Sequence, residues 1–321
     1  MKVVHIGMGK TATSSLQATA FPLMKTLGVV AHYNPPDVMA AINGAVNGRA
    51  PARDVAALFS PLPDVFVSNE TIVEWDPAFW ESAADRALAM FGPETVIIIT
   101  MRDPDTYLRS LYQQLFHSGK VQSPEHVFLN AKAYRAVQRF VRPSELDVVD
   151  IDGFDLETLA ALYAERFSKV VLVPFEAVGE MGFAAHIWNA QEDIIGKLRE
   201  AFLQAPASNP SYSRLAMALT LGRERVLRQL GLRSRSSSDA QFEATLSLMS
   251  GKEAKRGGTF SILPSWSRLM HLLSRYGPQT RYQLPEGAYV GPHTQKNRAF
   301  YKTLASAQAG FLEFEQSGGG R

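Results

Sequence analysis

Short runs of branched apolar residues alternate, along the first two thirds of the chain, with longer stretches in which apolar residues recur every three or four positions. Lys2–Ile6, Val29–His32, Val65–Ser68, Val96–Thr100 and Val170–Pro174 are rich in Val and Ile and too short for helices, which predicts strands. Several show little polar alternation, as strands covered on both faces of a parallel sheet do. Between them the spacing predicts helices over Thr13–Leu27, Pro77–Met90 and Thr106–Ser118. The last has Leu108, Leu111, Tyr112 and Leu115 at i, i+3, i+4 and i+7. Ser123-Pro124-Glu125 reads as another helix start, a cap followed by proline at the first helical position. Strand–helix alternation predicts an α/β fold with a central parallel β-sheet flanked by helices. After about residue 205 the strand patterns stop. Asn209–Gly231, Asp239–Ser250 and Asn297–Glu315 read as helices, which predicts a helical carboxyl-terminal cap. The expectation is a single domain over 1–321: an α/β core over 1–205, a helical region over 206–316 and a flexible tail over 317–321.

Composition narrows the class without changing this picture. The 321 residues are 46% hydrophobic and 20% charged, ordinary for a globular protein and unlike collagen or a disordered chain. Thirty-three Lys and Arg against 31 Asp and Glu leave a net charge of +2, so no global field points to nucleic acid or a membrane. The chain has no cysteine, which excludes disulfides, thiolate metal sites and a cysteine nucleophile. No two of the seven histidines have zinc-motif spacing. No uninterrupted apolar run reaches about 18 residues, and the opening Met1–Ile6 has no signal-like core. The expectation is a cytoplasmic protein with no integral membrane segment.

The candidate chemistry starts right after the first strand. Gly7-Met8-Gly9-Lys10-Thr11-Ala12-Thr13-Ser14-Ser15 links that strand to a helix. A helix start offers unpaired N–H groups and a positive dipole end, and small residues let an anion approach the backbone. Lys10 adds a cation and four hydroxyls add donors, which is chemistry for a phosphate-like group. An ordinary capped strand–helix turn is the alternative. The segment is not a Walker A loop: Gly9-Lys10-Thr11 matches the end, but Val4 occupies the first-glycine position. Nor does either following strand end in the magnesium-holding Asp of such enzymes, although Glu70 could stand in.

The fourth strand runs into Arg102-Asp103-Pro104, and Ser110-Leu111-Tyr112 follows on a helix. Ligands of open α/β sheets bind beyond the carboxyl ends of strands, where Arg102 can hold a phosphate bidentately. Read alone, Arg102 could equally pair with Asp103 or Asp105 and Ser110 could face solvent.

His5-Ile6-Gly7-Met8-Gly9-Lys10-Thr11-Ala12-Thr13-Ser14-Ser15-Leu16-Gln17 resembles the 5′-phosphosulfate loop of sulfotransferases that use 3′-phosphoadenosine 5′-phosphosulfate (PAPS), notably bacterial members. That loop usually reads Pro-Lys-Ser/Thr-Gly-Thr-Thr. Arg102, with Ser110 eight residues on and then Tyr112, is similar to the family's 3′-phosphate motif. The resemblance covers about residues 1–120 specifically and 121–205 by general pattern. It implies a three-layer, P-loop-like fold and transfer of a sulfuryl group from PAPS, without a required metal, to a hydroxyl or amine of a glycan, lipid or small molecule. It implies that Gly9, Lys10, Thr11, Ala12, Thr13 and Ser14 hold the 5′-phosphosulfate, with Arg102 and Ser110 on the 3′-phosphate and Lys10 also on the leaving group. Gly9 replaces the usual Pro and Ala12 the usual Gly, so Ala12 would be strained if its position needs φ > 0. Family members take the acceptor proton with His or Glu, in some at the end of the strand before the 3′-phosphate strand. Glu70 matches that place, and His32, at the end of the second predicted strand, is the other candidate.

The remaining features are less specific. Lys255-Arg256-Gly257-Gly258 loosely resembles the late loop that closes the 3′-phosphate site in many sulfotransferases, and also reads as a solvated loop. Arg214, Arg223, Arg225, Arg228, Arg233 and Arg235 have Glu224 as the one acid among them. They make a solvated helix face or one that draws an anionic acceptor, and lack the aromatics of a nucleic-acid platform. The alternative activity is an ATP- and magnesium-dependent kinase of a nucleoside or small molecule.

Overall fold

The computed structural model describes residues 1–117, 123–138, 147–204, 212–230, 233–234, 259–260, 265–277, 282, 284–285 and 287–315. In chain order the strands are β1 (Lys2–His5), β2 (His32–Tyr33), β3 (Val65–Ser68), β4 (Val96–Met101), β5 (Phe128–Leu129), β6 (Val149–Asp150), β7 (Lys169–Pro174), β8 (Arg233–Ser234), β9 (Thr259–Phe260) and β10 (Leu312–Glu315). The central sheet has six strands in the order β10-β7-β4-β1-β3-β2. β1 pairs in parallel with both β3 and β4, and β7 and β2 extend the sheet in parallel on either side. Every residue of β3 and β4 is buried, which is why these runs lack alternation: helices cover both faces.

The chain divides into two compact units. The first comprises Met1–Pro104, Asp155–Ser208 and Thr294–Arg321, and the second Asp105–Phe154 and Asn209–His293. The first contains the six-stranded sheet. On it Val3, Ile98, Val171 and Val173 share a core with Leu16, Phe21 and Met24 and with Phe183, Ile195 and Leu198. The second holds two small sheets, β5 with β6 and β8 with β9, and the helices Arg214–Gln229 and Ser265–Tyr276. In it Tyr107 stacks on Phe154 with ring centres 5.7 Å apart, and Gln113 donates to the Tyr212 carbonyl at 3.0 Å. The cut read from patterning at residue 205 lies near Ser208, but the second unit also takes in Asp105–Phe154.

Several elements differ from the pattern. Thr13–Leu27 is two helices, α1 (Thr13–Ala18) and α2 (Ala20–Thr26), separated at Thr19. Pro22 has no N–H to continue a helix from α1, and it sits instead in the first turn of α2, where that N–H has no intrahelical partner anyway. The second strand is His32–Tyr33, not Val29–His32, and is followed by two helices the pattern did not single out, α3 (Pro36–Val46) and α4 (Ala52–Phe59). Pro77–Phe79 is a 3₁₀ turn leading into α5 (Trp80–Phe91), and α6 spans Pro104–His117. Ser123-Pro124-Glu125 starts only the short helix Pro124–Val127.

The largest correction is at the carboxyl end. Strands do not stop after 205, and Asn297–Glu315 is not one helix. Helix Thr294–Ala305 ends before Gly310, at φ 73°, and β10 then pairs antiparallel with β7. Leu312-Glu313-Phe314-Glu315 alternates with the period of a strand, and the edge of β7 offers it a partner. Asp239–Ser250 lies outside the described residues, as does the tail after 315. Among the described residues no helix is long and apolar enough to cross a membrane.

Candidate functional site

From β1 the chain builds β2 and β3 on one side of the sheet, then crosses back to place β4 on the other. The segments after β1, β3 and β4 therefore leave the same carboxyl edge in diverging directions, which makes the crevice where α/β folds bind ligands. Gly7–Ala12 follows β1, Asn69-Glu70 follows β3 and Arg102 follows β4. The Asn69 amide donates to the His5 carbonyl at 3.0 Å and the Met8 amide to the Thr100 carbonyl at 3.1 Å, so pairing continues into both exits.

The loop's shape has separate local causes. A Cβ on Gly7 would stand 2.3 Å from Thr100 Oγ1 and 2.6 Å from Thr13 Oγ1. Only glycine fits there, for packing against the strand rather than for a ligand. Gly9 has no atom within 4 Å of where a Cβ would lie. Lys10 and Ala12 both have left-handed backbone, at φ 67° and 63°. Ala12 is thus in the conformation that favours glycine, and it precedes α1 without a side-chain cap for the helix amides.

The hydroxyls divide by direction. Thr11 and Thr13 are buried. Thr11 donates to the Met8 carbonyl and lies 2.7 Å from Thr100 Oγ1 and 3.3 Å from Thr13 Oγ1. The Thr11 hydroxyl therefore braces the loop from beneath. Ser14 is exposed on the first turn of α1.

Lys10, Glu70 and Arg102 come together electrostatically. Burial pushes the Lys10 ammonium below its ordinary pKa, with Glu70 opposing that shift and Arg102 adding to it. Burial raises the Glu70 carboxyl, and Lys10 partly offsets the rise. Glu70 still reaches solvent, so water is thinned around it rather than excluded. Its place at the turn is set by Asn69, whose side-chain oxygen accepts from the Thr71 amide at 2.8 Å and hydroxyl at 2.7 Å, an Asx turn. Arg102 donates from Nη1 to the Lys10 carbonyl at 3.0 Å and lies over the Phe175 ring, 4.5 Å from its centre. It holds the loop and is itself held by a face-on aromatic.

The other candidates lie elsewhere. His32 begins β2 rather than ending a strand, and it pairs with Val65, which pairs with Lys2. That places it three residues short of Ser68, about 10 Å toward the amino edge of the sheet. Ser110 is on α6 in the second unit and is buried, not solvent-facing. Arg214, Arg223 and Arg225 are on helix Arg214–Gln229, while Lys255-Arg256-Gly257-Gly258 and Arg235 lie outside the described residues.

Four residues around the site were not singled out from sequence: His5, Ser68, Thr100 and Phe175. The first three carried one available signal, a polar side chain inside an apolar strand run. Phe175 carried another, its position just beyond the carboxyl end of a fourth parallel strand.

A family model described as a sulfotransferase domain matches residues 2–174, which include β1, β3, β4, β7 and the loops bearing Lys10, Glu70 and Arg102. No curated protein and no solved structure matches the chain.

Proposed function

Because the chain belongs to the sulfotransferase domain family, we propose that it takes a sulfuryl group from PAPS and delivers it to a hydroxyl or amine of a glycan, lipid or small molecule. The observation that carries this reading is that the segments after β1, β3 and β4 bring Lys10, Glu70 and Arg102 to one sheet edge, where Arg102 donates to the Lys10 carbonyl at 3.0 Å. The residues present fit an anionic donor: Gly9 is open to close approach, the first turn of α1 has no side-chain cap, and Lys10 and Arg102 supply two cations.

In the reaction the acceptor oxygen or nitrogen bonds to sulfur as the bond from sulfur to the 5′-phosphate oxygen breaks. Glu70 takes the acceptor proton. Its raised pKa makes it a stronger base than an ordinary carboxylate, and a positioned base contributes about 10²–10⁴-fold. Lys10 meets the charge that appears on the departing oxygen, where preorganised charge is most effective. The amides at Gly9–Ser14 and the Ser14 hydroxyl hold the 5′ end, and the buried Thr11 and Thr13 hydroxyls keep those amides in place. Arg102 takes the 3′-phosphate, on the strength of the motif it belongs to.

A thermal-shift comparison followed by turnover tests this reading. Adenosine 3′,5′-bisphosphate (PAP), the desulfated product, raises Tm without added metal, by mass action on the folded state. Labelled sulfate then passes from PAPS to members of a mixed panel of hydroxyl and amine acceptors. Stabilisation by ATP with magnesium but not by PAP would make the protein a kinase instead.

A further inference from the structure

His5 is fully buried, and no step proposed above uses it. Its Nδ1 lies 2.8 Å from the Ser68 hydroxyl and its Nε2 3.2 Å from the Thr100 hydroxyl. Phe21 meets the ring edge-on with centres 5.2 Å apart, and Gly7 lies so close that a Cβ there would stand 3.0 Å from Cε1. The ring is therefore fixed in place with a hydroxyl at each nitrogen.

The direction of each proton follows from one acceptor. The Thr11 hydroxyl donates its single hydrogen to the Met8 carbonyl, and a carbonyl only accepts. Toward Thr100, 2.7 Å away, Thr11 must then accept. Thr100 has thereby committed its own hydrogen, so toward His5 it accepts, and the ring proton is on Nε2. Nδ1 is left as an acceptor and receives the Ser68 hydrogen. Ser68 in turn accepts from the Gln17 side-chain amide at 3.1 Å.

From this order we infer that His5, as the neutral Nε2–H tautomer, is a positioning residue that ties the Ser68–Glu70 segment to the Lys10 loop. It does so through a one-way chain of hydrogen bonds: Gln17 to Ser68, to His5, to Thr100, to Thr11, to the Met8 carbonyl. What the two ends do rests on the sulfuryl-transfer reading. Glu70 lies two residues beyond Ser68. At the other end Thr100 braces the loop of Lys10 and precedes Arg102 by two residues. Each link holds its own end, so a break between His5 and Ser68 loosens the Glu70 side and a break between His5 and Thr100 the Lys10 side.

Two conservative variants cut the chain on different sides. His5→Asn can present an acceptor where Nδ1 stood but does not reach Thr100. His5→Gln can present a donor where Nε2 stood but draws back from Ser68. With PAP as the calorimetric probe, His5→Gln holds affinity within about threefold and loses about tenfold in kcat, while His5→Asn loses about tenfold in PAP affinity. Thr100→Val, nearly the same shape without the hydroxyl, reproduces His5→Asn. In the wild-type protein, ¹⁵N NMR shows a neutral His5 ring protonated on Nε2. A ring protonated on Nδ1, or equal losses of affinity and kcat in both His5 variants, overturns the inference. If neither His5 variant folds, the wild-type spectrum and Thr100→Val decide it: a wild-type PAP affinity in Thr100→Val overturns it. Wild-type protein that does not bind PAP defeats the sulfuryl-transfer reading instead, and the tautomer result still judges the chain.

Discussion

Ala12 is held at φ 63° and ψ 12°, where the Cβ of any L-residue crowds the following carbonyl, a strain of about 1–2 kcal/mol. Glycine would remove that strain but would bring a more flexible unfolded chain and lose the methyl that packs on the core. Ala12→Gly is therefore expected to raise stability by at most about 1 kcal/mol, read from the urea midpoint; a lower midpoint would mean that methyl packing outweighs the strain. In the proposed reaction, Lys10 acts where charge appears only during transfer. Lys10→Ala should lower kcat by about 10²-fold or more while PAP affinity changes far less; a wild-type kcat would remove Lys10 from the leaving group. Glu70→Gln keeps the size and cannot accept the proton, so kcat should fall by about 10²-fold. Burial raises the Glu70 pKa above its ordinary 4.5, so the wild-type rate should fall as pH drops through that raised value. The glutamine variant should lack this limb. His32→Asn is the comparison: a collapse there, with activity intact in Glu70→Gln, would move the base to His32 despite its place toward the other edge of the sheet.

Among the elements, β10 shows most directly what a strand owes to its neighbour. It is partly exposed and only four residues long, and β7 beside it is almost wholly buried. Leu312 to Glu315 pair with Leu172 to Lys169, and Glu313 binds the Lys169 ammonium at 2.7 Å and the His186 imidazole at 2.5 Å. Without β10, the backbone groups of an apolar strand would face solvent as an open edge, which is a template for aggregation. Deleting 306–321 should lower Tm and raise light scattering on heating, with the helix content measured by circular dichroism nearly unchanged. A truncated protein with wild-type Tm and no scattering would mean that β7 needs no cover.

At the scale of the whole molecule, the buried histidine couples folding to pH. Burial lowers the His5 pKa from 6.5 to about 3. Between these values the folded ring stays neutral while the unfolded ring takes a proton. The unfolded chain then binds more protons, so stability falls as pH falls, with a limiting slope from this group of about 1.4 kcal/mol per pH unit. Above 6.5 both states are neutral and the contribution is flat. His5→Gln should flatten this part of the stability–pH curve, measured by urea denaturation between pH 7 and the acid limit of folding. An unchanged slope would assign the acid loss to other groups.

Sequence alone determined the features that depend on neighbouring residues. Branched apolar runs such as Val96–Thr100 must be buried on both faces wherever they lie, so the parallel sheet and the strand–helix order were legible. So was the loop between β1 and α1, because Gly9 to Ser14 lie in one contiguous segment. The left-handed backbone of Ala12 was foreseeable only as a condition, since a φ angle is set by what the loop must pack against. Tertiary structure decided everything that joins distant segments. The register of β2 on β3 moved His32 away from the carboxyl edge. The edge of β7 turned the last residues of an expected helix into β10. His5 meets Ser68 across 63 residues and Thr100 across 95, and Thr100 meets Thr11 across 89. A hydroxyl in a sequence has no direction. It acquires one only when a buried carbonyl such as that of Met8 claims its hydrogen and leaves each partner along the chain a single way to satisfy its own.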